Sequence, residues 1–153
     1  MEPKIISRDA FTVMGVQERF TPGNEDYDAI WMKRFMSYHD QVQPLSTDKA
    51  YYGVSFETGI ADTWDYVAGM AVANVGKAPQ GLVMREVPPA REAVFQCTVK
   101  TIGETFDYIF KEWLPASPYE HDPSSSGFEY YPPDTATGDS PVSLYIPIRE
   151  KCK

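Results

Sequence analysis

The residues with the clearest chemical potential in this sequence are an acid and its aromatic neighbours, FEYY at residues 128–131. A carboxylate that moves from water into an apolar cleft loses hydration, so its pKa rises unless a positive charge compensates it. Aromatic faces attract cations by about 0.5–2 kcal/mol each, and flat ligands stack on them. From composition alone, a solvated carboxylate on a strand surface is the default interpretation of Glu129, and its aromatic neighbours leave a cation-binding role open.

Other reactive side chains lack the spacing that their chemistry requires. Cys97 and Cys152 form no CxxC pair, and His39 and His121 are isolated, so the sequence does not predict a zinc site. The serines at 124–126 lack the GxSxG pattern of a nucleophile elbow, and no phosphate-binding or dinucleotide-binding glycine motif occurs. We expect no metal and no cofactor, and we assign no catalytic residue from these patterns.

Composition narrows the class of partner. The 153 residues fit one domain, 1–153, and carry a net charge of −8. Phosphate backbones attract basic surfaces, so we expect no direct contact with nucleic acid, whereas an acidic field favours cationic partners. No apolar run is long enough for a membrane span, and the N-terminus lacks the apolar core of a signal peptide, so a cytoplasmic location without membrane contact is expected.

Hydrophobic periodicity predicts two helices among short strands. The predicted strands cover residues 4–20 (with a kink near Gly15), 51–56, 64–73, 81–99 (divided at Pro88-Pro89), 128–131 and 142–148, and the helices cover 25–42 and 102–114. Asn24 is the predicted cap of the first helix, and Thr101 with Glu104 matches a capping box at the second. Residues 115–127 are predicted to be a loop.

The order of these elements occurs twice. We therefore predict an α+β fold, a tandem β-α-β-β repeat in which repeat one covers about 3–75 and repeat two about 80–150. Such a duplication builds an antiparallel sheet with two helices packed on it and a pseudo-twofold axis between the halves. A central cleft on that axis is a common place for a ligand.

Five motifs in this order resemble the GyrI-like small-molecule-binding family. They are YGV at 52–54, YVAG at 66–69, YIFKEWLP at 108–115, FEYY at 128–131 and YIPI at 145–148. The resemblance covers about residues 3–150. That family includes the effector-binding domain of AraC-type multidrug transcription regulators, and many of its members bind bulky, aromatic, cationic compounds.

The resemblance also implies a ligand-binding set. The internal carboxylate of the family falls on Glu129 and its helix-end aromatic residue on Trp113. The strand tyrosines fall on Tyr52, Tyr66 and Tyr145, and Phe35 is the first-repeat counterpart of Trp113.

Three functions follow from this resemblance. The first is a stand-alone effector-binding module, related to transcription regulation, whose partner is a cationic amphipathic small molecule. The second is a hydrolase of cyclopropane-bearing genotoxins that uses Glu129 as general acid or base. The third is an inhibitor of DNA gyrase. A protein partner and a homodimer are both left open.

Overall fold

The computed structural model describes residues 2–73 and 76–152 of the chain. The predicted end of repeat one at residue 75 therefore lies outside the described residues. The strands are β1 (Lys4–Arg8), β2 (Phe11–Phe20), β3 (Tyr51–Glu57), β4 (Trp64–Val72), β5 (Val83–Val87), β6 (Ala90–Thr98), β7 (Tyr119–His121), β8 (Gly127–Tyr131) and β9 (Pro141–Glu150). No helix of the described residues is long and apolar enough to cross a membrane.

Two helical segments separate these strands. The first helical segment consists of Ala29–Phe35, His39–Val42 and Gln43–Leu45, and the second of Val99–Thr101, Ile102–Tyr108, Ile109–Trp113 and Leu114–Ala116. Ala29–Phe35 and Ile109–Trp113 are π-helical. Each helical segment thus contains a widened π-helical stretch, a feature that often occurs near functional sites.

The sheet confirms the predicted duplication. Its order is β1-β6-β9-β8-β3-β4-β2-β5, with β7 added on β9, and neighbouring strands are antiparallel. The neighbouring strands β3, β4 and β2 of the first half correspond in order to β8, β9 and β6 of the second half. The two halves meet where β3 pairs with β8, and Gly53 lies opposite Glu129 in that pair.

The edge strands are exchanged between the halves. Strand β1 precedes β2 in the chain but pairs with β6, while β5 precedes β6 but pairs with β2. The halves are therefore joined at both outer edges as well as at the centre.

Three apolar clusters form the core. One lies between the first helical segment and β2 and β4, and a second lies between the second helical segment and β6 and β9. The third covers the opposite face of the sheet around Val54, Val67 and Phe128. Because the two helical segments pack on separate clusters of the same face, the central strands β3 and β8 are left as the floor between them.

Several local predictions were wrong. Asn24 accepts a hydrogen bond from Thr21 N (2.6 Å), whereas Asp26 Oδ1 accepts one from Ala29 N (2.9 Å) at the start of the first helical segment. The strand break falls at residues 9–10 and not near Gly15, which pairs with Gly69 inside the ladder. The predicted loop at 115–127 contains β7, which pairs with the end of β9.

Candidate functional site

The site is built around one acid at the centre of the sheet. Glu129 lies on β8 and is only 8% exposed. Side chains alternate between the two faces of a strand, so Glu129 and Tyr131 point toward the helical segments while Phe128 and Tyr130 point to the opposite face. Gly53 on β3 makes room for this acid: a Cβ at Gly53 would lie 2.8 Å from Glu129 Oε1 and 2.0 Å from the Tyr66 hydroxyl.

The two carboxylate oxygens of Glu129 have different surroundings. Oε1 accepts hydrogen bonds from the hydroxyls of Tyr66 (3.0 Å) and Tyr131 (2.7 Å). Trp31 Nε1 donates to the Tyr66 hydroxyl (3.0 Å), which leaves the hydroxyl hydrogen of Tyr66 directed at Glu129. Oε2 accepts no hydrogen bond from the described residues, and it is not sealed from solvent. Oε2 is thus the oxygen that is left for a ligand.

Burial controls the protonation of this acid. It raises the pKa of Glu129 from 4.5 to about 7, against the opposing effect of the hydrogen bonds from Tyr131 and Tyr66. Burial, followed by the charge of Glu129, raises the pKa of Tyr27 to about 12, so this neighbouring phenol remains neutral. The acid therefore changes charge near neutral pH, in surroundings that supply hydrogen bonds to it but no positive charge.

An open cavity of about 800 Å³ lies above Glu129. Its volume falls within the range of small-molecule sites. Aromatic side chains from both halves form its walls: Tyr27 and Trp64 from the first half, Phe106 and Phe110 from the second. Phe110 is 46% exposed and Tyr27 is 40% exposed, which is unusual for side chains of this size. The cavity therefore offers aromatic surface to a ligand.

The polar residues of the cleft are acidic or neutral. Glu57, Asp62 and Glu129 line it, and the described residues that line it include no lysine and no arginine. His121 also lines the cleft, and burial lowers the pKa of this imidazole, which keeps it neutral at physiological pH. The electrostatic field inside the cleft consequently favours a cation.

The structure brings together two of the six predicted ligand-binding residues. Glu129 and Tyr66 share a hydrogen bond, with Tyr66 fully buried behind the acid. Tyr52 and Tyr145 lie on the opposite face, where they line a smaller cavity of about 390 Å³. For these two residues a ligand contact in the cleft stays a prediction.

Of the other two predicted residues, Phe35 lies in the apolar core and Trp113 packs against it. Trp113 packs on Phe95 (ring centres 5.1 Å apart) and Tyr119 (6.2 Å), and it does not line the cleft above Glu129. Phe35 is fully buried and contacts Trp31 edge to face, with ring centres 5.4 Å apart. Trp31 donates a hydrogen bond to Tyr66, so Phe35 contacts a member of the hydrogen-bonded set without belonging to it. Their assignment to ligand binding also stays a prediction.

Sequence reasoning missed several site residues. Tyr131 follows Glu129 by two positions, so strand alternation alone could have placed it beside the acid. Tyr27 and Trp31 recur at helical spacing in the first predicted helix, which is typical of a buried face, and nothing in the periodicity distinguishes a core ring from a cleft ring. Phe106 and Phe110 are four residues apart in the second predicted helix, a spacing that is likewise typical of a buried face. The described residues hold no group of three His, Cys, Asp or Glu side chains able to share a metal ion.

The sequence of the chain matches a known protein family. Residues 4–148 match the sequence model of the Cass2 family, described as integron-associated effector-binding protein. This match supports the resemblance to GyrI-like small-molecule-binding proteins that the motifs predict. The transcriptional regulator BrlR of Pseudomonas aeruginosa is 29% identical over 156 residues; the alignment covers 97% of this chain but only 56% of BrlR.

Solved structures share the fold. SAV2435 bound to tetraphenylphosphonium superposes with a TM-score of 0.75 at 15% identity, covering 97% of this chain and 94% of SAV2435. The integron cassette protein VCH_CASS2 of Vibrio cholerae superposes with a TM-score of 0.65 at 19% identity, covering 97% of each chain. At these identities the likeness establishes the architecture, and the chemistry must be argued from the side chains.

Proposed function

The chain belongs to the family of integron-associated effector-binding proteins, and from this premise we propose that it binds bulky, aromatic, cationic small molecules in the cleft above Glu129. The ligand cation lies near Glu129 Oε2, and its apolar groups contact the aromatic walls. The proposal extends to an input role in transcription regulation, in which the filled cleft is the signal.

The observation that carries the proposal is a buried acid with one open oxygen and no positive partner. An ionised carboxylate without a counter-charge is unfavourable at 8% exposure, as the raised pKa of Glu129 reflects. A cationic ligand supplies the missing charge, so ligand binding and ionisation of Glu129 favour each other. A neutral ligand of the same shape lacks this contribution.

The aromatic walls explain how affinity arises without many hydrogen bonds. Each ring that faces a cation contributes about 0.5–2 kcal/mol, and stacking adds to the burial of apolar area. Three or four rings and one acid are sufficient for micromolar binding, about −8 kcal/mol. Stacking depends little on ligand identity, so we expect broad specificity.

Two relatives support the proposal. SAV2435 has the same fold and a structure with tetraphenylphosphonium, a bulky aromatic cation. BrlR is a transcriptional regulator, and the matched region is about half of its length. These relationships make an effector cation and a regulatory context reasonable for this chain, and neither relative identifies its natural ligand.

A pair of ions with the same shape and opposite charge tests the proposal. We expect tetraphenylphosphonium to quench the protein's tryptophan fluorescence saturably at pH 8, and tetraphenylborate to show no saturable binding. Glu129→Gln should weaken phosphonium binding at least about tenfold, because the variant has the same volume and no charge. Glu86→Gln removes one exposed acid outside the cleft and should leave the affinity unchanged. Equal affinity for the two ions, or an undiminished affinity in Glu129→Gln, would refute the proposal.

The raised pKa of Glu129 also favours a second candidate function, hydrolysis of reactive cyclopropane-bearing compounds. A carboxyl group with a pKa of about 7 is suited to general acid–base catalysis at neutral pH. Product formation that follows the native protein and disappears in Glu129→Gln would support this activity. Substrate that remains intact after prolonged incubation with a protein that demonstrably binds it would exclude it.

A further inference from the structure

A second acid lies at the other end of the same cleft. Glu57 ends β3, four residues after Gly53, which pairs with Glu129. Residues 53, 55 and 57 share one face of the strand, and Ser55 and Glu57 both line the cleft. At 3.2–3.4 Å per residue, the backbone positions of the two acids are about 13 Å apart along the sheet.

The Glu57 side chain is exposed and forms no hydrogen bond or ion pair among the described residues. Its charge acts on His121, where it opposes the effect of burial on the pKa of the imidazole. The neighbouring His121 is kept neutral because burial lowers its pKa, so it does not neutralise Glu57. Asp62 lines the same end of the cleft and adds to the negative field there.

Apolar surface connects the two acidic ends. The second helical segment contributes Phe106 and Phe110, whose rings stack with centres 6.4 Å apart, and Phe110 also contacts His121 (6.2 Å). The turn before β4 contributes Ile60, which is 55% exposed although it is a large apolar side chain. A ligand that spans the cleft would therefore meet an acid, an apolar stretch and a second acid.

We infer that the cleft binds elongated dications, with one positive charge at Glu129 Oε2 and the other at Glu57. The inference rests on the proposed function, since it assumes that Glu129 receives a cation. Glu129 provides a separate indication of a ligand, because it is a nine-tenths buried acid with an unpartnered oxygen in the cavity. Glu57 then makes a dication with a long apolar linker a better ligand than the corresponding monocation.

Two compounds that differ in one charged group test this subsite. Decamethonium carries a quaternary ammonium group at each end of a decane chain, and decyltrimethylammonium carries one at a single end. Binding of both is measured by calorimetry at pH 8 to the native chain, Glu57→Gln, Glu129→Gln and the control Glu86→Gln. We expect Glu57→Gln to weaken decamethonium about fivefold, the effect of losing one exposed ion pair, and to weaken decyltrimethylammonium less, because the single charge of that compound lies at Glu129.

Comparison of the four proteins distinguishes a failure of the second subsite from a failure of the proposed function. Decamethonium binding that is unaffected by Glu57→Gln, while Glu129→Gln weakens both compounds, would overturn the second subsite and leave the proposed function intact. Cation binding that is insensitive to Glu129→Gln would overturn both. An equal loss for Glu57→Gln and Glu86→Gln would show a general effect of net charge, and that result would also overturn the subsite.

Discussion

At the residue scale, Glu129 combines the ligand-binding role that we propose with a cost in stability. Its folded-state pKa of about 7 exceeds the ordinary value of 4.5, so between these two values the folded chain holds more protons than the unfolded chain. The contribution of Glu129 to the free energy of unfolding therefore falls as pH rises through this window, and above about pH 7 the loss is complete. The complete loss of stability is on the order of 3 kcal/mol.

We accordingly expect Glu129→Gln to be more stable than the native chain at pH 8, by up to about 3 kcal/mol, and to differ little at pH 4.5. Urea unfolding at the two pH values measures this difference. Glu86→Gln should follow the native chain at both pH values, since this acid is exposed and lies outside the cleft. A gap between Glu129→Gln and native that does not grow with pH would contradict the burial of an ionisable Glu129.

Gly53 is the second residue on which the site depends. A Cβ at this position would lie 2.0 Å from the Tyr66 hydroxyl and 2.8 Å from Glu129 Oε1. Gly53→Ala should therefore force the Tyr66–Glu129 pair apart, destabilise the chain by about 1–3 kcal/mol and weaken tetraphenylphosphonium binding. Gly103→Ala is the matched control: its Cβ would meet nothing within 4 Å, and alanine in a helix should stabilise by about 0.5–1 kcal/mol. Thermal unfolding and fluorescence titration of both variants provide the test.

At the scale of elements, the start of the second helical segment shows what the sequence could and could not predict. The pattern at Thr101 and Glu104 predicts a capping box, but the capping box of the structure joins Thr98 and Thr101. Thr101 Oγ1 accepts a hydrogen bond from Thr98 N (2.9 Å), because a 3₁₀ turn moves the helix start three residues earlier. The existence of the helix follows from periodicity, whereas its first residue depends on hydrogen bonds that several hydroxyls can make.

Mutation can distinguish the capping box of the structure from the one predicted from the sequence. Thr98→Ala should destabilise the chain by about 1 kcal/mol, since it removes the capping side chain. Glu104→Ala should have little effect, because Glu104 is exposed and forms no capping bond in the structure. Urea unfolding midpoints of the two variants rank these alternatives, and a larger loss in Glu104→Ala would favour the capping box predicted from the sequence.

At the scale of the whole molecule, the sequence predicts the duplicated architecture and the central acid, and the structure adds how the halves are connected. The repeated order of strand, helix, strand and strand is visible from local periodicity. The exchange of β1 and β5 between the halves is not, because antiparallel pairing between distant strands has no local signal. The family resemblance assigns Tyr52 and Tyr145 to the same ligand-binding set as Glu129, and in the structure these two tyrosines lie on the opposite face of the sheet from the acid.

The exchanged strand β1 also carries a buried ion pair between the halves. Arg8 forms a salt bridge with Glu92, which is fully buried, and donates to the carbonyl oxygen of Pro88 (3.0 Å). Glu92 Oε2 has no hydrogen-bond partner within the described chain, and burial raises the pKa of this carboxyl while Arg8 opposes that rise. Arg8 is thus the main compensation for an acid that has no access to water.

Removal of this arginine should therefore destabilise the junction between the halves. We expect Arg8→Met to lower the free energy of unfolding by about 3–5 kcal/mol, because it leaves a buried carboxylate without a cation. Adding Glu92→Leu should restore most of this loss, since an apolar pair of similar volume often matches a buried ion pair. Arg149→Met removes an exposed cross-strand partner of Glu120 and should cost at most about 1 kcal/mol. Urea unfolding measures the free energy of unfolding of these variants. An Arg8→Met variant as stable as Arg149→Met would show that the halves are held together without the Arg8–Glu92 pair.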